Sequence, residues 1–245
     1  MPSFKNPLIV ALDFDSKDKA LEMVKKLAPH AGGFKVGMQL YYSAGPDCVR
    51  ALKEAGANLF VDLKLHDIPN TVAGASRALT RLGASIFNVH AAGGMAMMLA
   101  AVEASGEEAA KLGRRRPLVT AVTVLTSIGQ DAFSREVGFP CAIRERVVAW
   151  ASLARDAGLD GVVASPQEIG AIREACGPGF AIITPGVRPA GAAAGDQKRV
   201  MTPGEAVRLG ADYLVVGRPI TNAPDPVEAA LAILEEMGNR ELPAG

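Results

Sequence analysis

The chain has 245 residues, 49% of them hydrophobic, and its 26 Lys and Arg are balanced by 26 Asp and Glu. That length suits one (β/α)8 unit of about 250 residues, and the zero net charge excludes a general nucleic-acid or membrane-surface binder, which would carry a basic excess. Cys48, Cys141 and Cys176 form no CxxC pair and fit neither a disulfide framework nor a zinc site, so a reducing cytoplasm is the expected setting.

The opening residues Met1 to Pro7 lack the apolar stretch of a signal peptide. Short apolar runs then alternate with helical patterns. Leu8–Leu12 leads into Asp13, Phe34–Gly37 carries Lys35, and Leu59–Leu63 leads into Lys64 and Asp67. Ser85–Val89 ends at His90, in the longest uncharged run of the chain. Asn88, His90, Gly93 and Gly94 break that run, so no membrane span is expected there. Leu118–Val124 is followed by a long insertion, and Gly161–Ala164, Ala181–Thr184 and Tyr213–Val216 complete the set. Most of these near-continuous apolar runs read as parallel strands covered by helices, with a buried helix segment as the alternative for any one of them.

Glycines punctuate the return from helix to strand at Gly33, Gly56, Gly83, Gly113, Gly158, Gly179 and Gly210. Ser165-Pro166-Gln167-Glu168, Thr202-Pro203-Gly204-Glu205 and Asp225-Pro226-Val227-Glu228 each read as a helix start, with a cap, a first-turn proline and a following glutamate. A helix over Asp225–Met237 closes the chain, and residues 239–245 read as a frayed tail. Eight strands alternating with helices point to an α/β fold, a single closed (β/α)8 TIM barrel spanning residues 1–245. The alternative, a doubly wound open sheet, would want a glycine-rich loop after the first strand, where this chain has Asp13-Phe14-Asp15-Ser16. Arg114-Arg115-Arg116 reads as a solvated loop on the barrel face opposite the active site.

Barrel enzymes place chemistry at the C-terminal ends of the strands, and here three adjacent strand ends carry charge: Asp13, Lys35, then Asp62, Lys64 and Asp67. Alternation along a strand puts Asp62 and Lys64 on one face, toward the interior, and Leu63 and Leu65 on the other. An internal salt bridge is the structural alternative. Burying so many charges costs several kcal/mol each unless they are paired, so chemistry is the better reason to keep them. Flanking carboxylates favour the ammonium form of a lysine, which makes Lys64 a candidate proton donor. Pro185-Gly186-Val187-Arg188-Pro189 and Gly217-Arg218-Pro219 follow the last two strands, where barrels often bind phosphate. Ala190 to Arg199 between them reads as a lid. The three histidines, His30, His66 and His90, give no metal spacing, and His90 reads as structural.

Asp62-Leu63-Lys64-Leu65-His66-Asp67-Ile68-Pro69-Asn70-Thr71 resembles the signature of the orotidine 5′-phosphate decarboxylase family. Val10 to Asp13, Lys35 to Gly37, Asn88 to Ala91, Val122 to Ser127, Thr184 to Pro189, Gly195 to Gln197 and Gly217 to Pro219 extend the resemblance along nearly the whole chain. The resemblance implies cofactor-free decarboxylation of orotidine 5′-phosphate, with no metal, by a homodimer with shared active sites. Asp13 and Lys35 would contact the ribose hydroxyls, Lys35 also joining the charge row. Asp62 would sit beside the substrate carboxylate and Lys64 would donate the proton. Asp67 and Thr71 would reach the partner's site. Thr126 would bind the pyrimidine edge, Gln197 would bridge base and phosphate, and Arg188, Gly217 and Arg218 would hold the phosphate. Ala192 and Ala193 depart from the polar residues common in the family's loop. Two rivals stand beside it. A magnesium-dependent sugar-phosphate lyase or decarboxylase of the same barrel group also resembles the DxKxxD pattern, but wants a carboxylate on the second strand where this chain has Lys35. A non-catalytic nucleotide-binding barrel would have no use for Lys64 between Asp62 and Asp67.

Overall fold

A computed structural model describes residues 4–189 and 201–238. The segment read as a lid, Gln197 included, and the tail 239–245 lie outside the described residues. The strands are β1 (Leu8–Ala11), β2 (Gly33–Gly37), β3 (Leu59–Leu65), β4 (Ile86–His90), β5 (Leu118–Val122), β6 (Gly161–Val163), β7 (Ala181–Pro185) and β8 (Tyr213–Val216). All pair in parallel and in sequence order, and β8 returns to β1, so the sheet closes on itself and has no edge. The expected strands are all present, with ends displaced by one or two residues.

The first half carries helices α1 (Lys17–Leu27), α2 (Met38–Ala44), α3 (Asp47–Glu54), α4 (Pro69–Arg81) and α5 (Gly94–Lys111). The second half carries α6 (Gln130–Arg135), α7 (Ile143–Asp156), α8 (Ile169–Cys176), α9 (Pro203–Arg208), α10 (Arg218–Thr221) and α11 (Pro226–Glu236). The long insertion after β5 is where α6 forms. Two of the three read helix starts cap as expected: Thr202 and Glu205 form a reciprocal capping box, and Asp225 accepts from the N–H groups of Val227 and Glu228. The third, capped by Ser165, is a 3₁₀ turn over Pro166–Glu168 that leads into α8. Gly177, not Gly179, takes the left-handed conformation after α8. Gly33 instead opens β2, because a Cβ there would come within 2.4 Å of the Phe4 ring.

Strand alternation divides the apolar residues into two bodies. Leu8, Val10, Phe34, Val36, Val61, Phe87, Val119, Ile182 and Leu214 face the helices. Ile9, Ala11, Phe60, Ile86, Leu118, Ala181, Ile183, Tyr213 and Val215 fill the barrel, and Phe4 closes its floor edge-on to Tyr213 at 5.2 Å. The interior is thus packed through its lower layers, and the charged residues can only collect at the top.

Arg116 corrects the reading of the arginine run as wholly solvated. Its guanidinium grips Asp160 through two hydrogen bonds of 2.9 and 2.7 Å, while Asp160 also accepts the Val119 N–H at 2.7 Å. This pair ties the entrances of β5 and β6 together on the face opposite the charge row. Asp160→Ala strands a backbone donor and a guanidinium. It should cost about 1–3 kcal/mol, read as a lower Tm in thermal unfolding with kcat unchanged.

Candidate active site

The charged strand ends meet in a row. Lys35 Nζ lies 3.0 Å from Asp13 Oδ1 and 3.4 Å from Asp62 Oδ2, and Lys64 Nζ lies 2.7 Å from Asp62 Oδ1. Carboxylate and ammonium therefore alternate across β1, β2 and β3. The Lys35 and Asp62 side chains are each only 12% exposed. Burial alone would raise the Asp62 carboxyl, but the ammonium groups of Lys35 and Lys64, with hydrogen bonds from Lys64 and Asn88, outweigh it and hold Asp62 below the usual carboxylate range. Gly37 makes room for this row, since a Cβ at that position would come within 2.9 Å of Lys35 Nζ.

Alternation explains Asp62 but only part of Lys64. Lys64 has φ of 53°, the one positive value for a non-glycine among the described residues. The β3–β4 register slips between Val61 and Leu65, so Lys64 sits in a bulge at the top of its strand. A left-handed backbone costs a non-glycine residue on the order of 1–3 kcal/mol. Leu63 and Leu65 still pack on the helix side, as alternation predicts.

A cavity of about 330 Å³ opens above the row, lined by Asp13, Lys35, Asp62, Lys64, Thr126, Arg188, Gly217 and Arg218. That volume lies at the lower end of the roughly 300–1,000 Å³ of small-molecule sites. Phe60, Val122, Val124, Val163, Ala164 and Val215 give it apolar walls. The arginines enter from beyond β7 and β8, and Gly186, at φ of 79°, makes the turn out of β7 that only glycine adopts freely. One end of the cavity therefore carries the alternating charges and the other two guanidinium groups.

Asp67 and Thr71 do not join it. Both are exposed, and Asp67 Oδ1 accepts its neighbour's N–H, from Ile68, at 2.7 Å. Gln197 lies outside the described residues. Sequence reasoning missed Asn88, Ser127 and Gly37 as parts of the site. Asn88 was findable as a polar residue on the inward face of an apolar strand.

His90 is enclosed at the end of β4, with its ring 5.3 Å from that of His66. Burial, then repulsion from His66 and Lys64, against attraction to Asp62, lowers its pKa to about 4. Because the folded value lies below the ordinary 6.5, His90 stabilises the fold fully above pH 6.5 and that contribution is lost as pH falls toward 4. Partial solvent access limits it to about 1 kcal/mol. His90→Gln should therefore reduce the drop in Tm between pH 7 and 5 by about 2–4 °C, measured by thermal unfolding at both pH values.

The family model described as "Orotidine 5'-phosphate decarboxylase / HUMPS family" matches residues 6–233. Orotidine 5′-phosphate decarboxylase of Moorella thermoacetica is 60% identical over 233 residues, 95% of this chain and 92% of that protein. The chain belongs to the orotidine 5′-phosphate decarboxylase / HUMPS family. The decarboxylase of Syntrophomonas wolfei is 55% identical over 231 residues, 94% of this chain and 97% of that protein. In three dimensions the crystal structure of orotidine 5′-phosphate decarboxylase from Lactobacillus acidophilus aligns with a TM-score of 0.83 at 40% identity, covering 94% of this chain and 98% of that one. On β2 the chain carries Lys35, whose ammonium sits between Asp13 and Asp62.

Proposed function

We infer that the chain decarboxylates orotidine 5′-phosphate to uridine 5′-phosphate, within pyrimidine biosynthesis. The observation that carries this reading is the Lys64 ammonium held at 2.7 Å by Asp62 on the wall of a cavity whose far end bears Arg188 and Arg218. Breaking the bond from C6 to the carboxylate leaves an electron pair in an orbital of the ring plane, where the ring π-system cannot absorb it. A cation must stand beside it. An ammonium about 4 Å away supplies roughly 4 kcal/mol at an effective dielectric near 20. Lys64 stabilises the pair as carbon dioxide departs, then passes its proton to C6, and solvent restores the ammonium.

The roles of the other residues are those the family resemblance implies. Asp62 anchors Lys64 and opposes the substrate carboxylate by like charge. Asp13 and Lys35 face the ribose hydroxyls, and Thr126 the pyrimidine edge. Arg188, Gly217 and Arg218 take the phosphate, with Gln197 as a bridge between phosphate and base. Since Lys64 provides the cation, the reading needs no metal or other cofactor.

Asp67 and Thr71 act in the site of a second copy of the chain, in a homodimer. Their exposure beside Ile68, an apolar side chain 67% exposed, supports this. Mixing Lys64→Ala with Asp67→Ala should then restore about a quarter of wild-type activity, because each mixed dimer holds one intact site. Two inactive parents that stay inactive on mixing would remove the shared site. Unpaired Cys48, Cys141 and Cys176 support a cytoplasmic setting. Among the described residues no helix is long and apolar enough to cross a membrane.

The test is an ultraviolet assay of orotidine 5′-phosphate consumption after exhaustive chelation. Undiminished turnover is expected. Activity that vanishes with the chelator and returns with magnesium would favour the sugar-phosphate rival.

A further inference from the structure

Asn88 stands in the middle of β4 with its side chain turned into the barrel and fully buried. Both ends of its amide are used on β3. Oδ1 accepts the backbone N–H of Lys64 at 2.8 Å, and Nδ2 donates to Asp62 Oδ1 at 2.7 Å. A backbone N–H can only donate and an ionised carboxylate can only accept, so one orientation of the amide satisfies both. The same Asp62 oxygen receives Lys64 Nζ at 2.7 Å. Asn88 thus holds the main chain of Lys64 and the anchor of its side chain at once. The backbone it holds is the one with φ of 53°, at the slip in register. A conformation of that kind persists only where its surroundings fix it, and the hydrogen bond from Asn88 on the neighbouring strand acts directly on that backbone.

We propose that Asn88 is a positioning residue, which locks the left-handed backbone of Lys64 and the rotamer of Asp62 so that the ammonium stays aimed into the cavity. The proposal rests on the Lys64 reading above. It requires an inward amide at this place on β4. Alanine loses both contacts, and an aliphatic side chain of similar size leaves the Lys64 N–H and one Asp62 hydrogen-bond position unsatisfied.

Asn88→Ala and Asn88→Asp test it, with Lys64→Ala alongside. In Asn88→Ala, kcat should fall about 100-fold, the scale of a displaced catalytic group. The Kd for uridine 5′-phosphate should stay within about threefold of wild type, because ground-state contacts are kept. Asn88→Asp keeps the acceptor for Lys64 but sets a second carboxylate against Asp62. The charged groups facing position 88 are Asp62 and Lys64 from β3, with Lys35 of β2 on the far oxygen of Asp62 and His90 further along β4. When protonated, the new carboxyl can donate to Asp62 as the amide did, so the kcat of this variant should rise toward wild type as pH falls. A merely structural asparagine gives no such rescue.

A folded Asn88→Ala protein with kcat within about twofold of wild type overturns the proposal, and so does an Asn88→Asp pH profile parallel to wild type. Should Asn88→Ala fail to fold, the Asn88→Asp profile decides alone. Turnover that survives in Lys64→Ala overturns the proton-donor reading and this proposal with it. An inactive Lys64→Ala beside a fully active Asn88→Ala overturns the positioning role only.

Discussion

Lys64→Ala is expected to lower kcat on orotidine 5′-phosphate by more than about 10⁴-fold, since one group both stabilises the carbanion and protonates it. Binding of uridine 5′-phosphate should survive, because the phosphate end and the apolar walls do not depend on this side chain. The loss should not be shared by Lys35→Ala to the same degree. Lys35 lies 3.4 Å from Asp62 and 3.0 Å from Asp13, and its proposed place is at the ribose rather than at C6. Lys64→Arg should recover little, because a planar guanidinium does not readily give up its proton and its fork does not fit the single contact that Asp62 offers. Steady-state kinetics with isothermal titration of the product nucleotide separates the two effects. Near-normal turnover in Lys64→Ala would end the role given to it.

The second large effect is expected at the other end of the cavity. Arg218→Ala removes one of the two guanidinium groups proposed to hold the phosphate, an interaction of about 1.5–3 kcal/mol for a charged partner. That loss corresponds to roughly 10–100-fold in kcat/KM. The double variant with Arg188→Ala should lose more than either alone. The diagnostic comparison is orotidine, which lacks the phosphate. Its slow turnover should be the same in wild type and Arg218→Ala if the arginine serves the phosphate alone. A fall confined to KM would mean uniform binding, whereas a fall in kcat as well would mean that phosphate contacts far from C6 support the transition state. Equal losses on both substrates would place Arg218 in some other role.

Much of this was legible in the residues because two periodicities reinforce each other. Apolar runs of strand length gave the barrel order, and alternation within Leu59 to Leu65 placed Asp62 inside and Leu63 outside. Helix starts at Thr202 and Asp225 were readable because capping is local chemistry. What alternation could not reveal is the bulge. Lys64 reaches the cavity through a left-handed backbone that depends on Asn88, a residue 24 positions away, and contacts between strands of that kind leave no mark in either strand alone. The Arg116–Asp160 pair escaped for the same reason, since its partners lie 44 residues apart. Asp67 and Thr71 show a third limit. The site proposed for them lies in a second copy of the chain, and a single sequence carries no distance to a partner.

A crystal structure with uridine 5′-phosphate bound is the most direct test of the place given to Lys64. Lys64 Nζ is expected about 3–3.5 Å from C6, still in contact with Asp62, with Arg188 and Arg218 on the phosphate. A nucleotide seated with its C6 away from Lys64, or a Lys64 side chain swung out of the cavity and parted from Asp62, would contradict it.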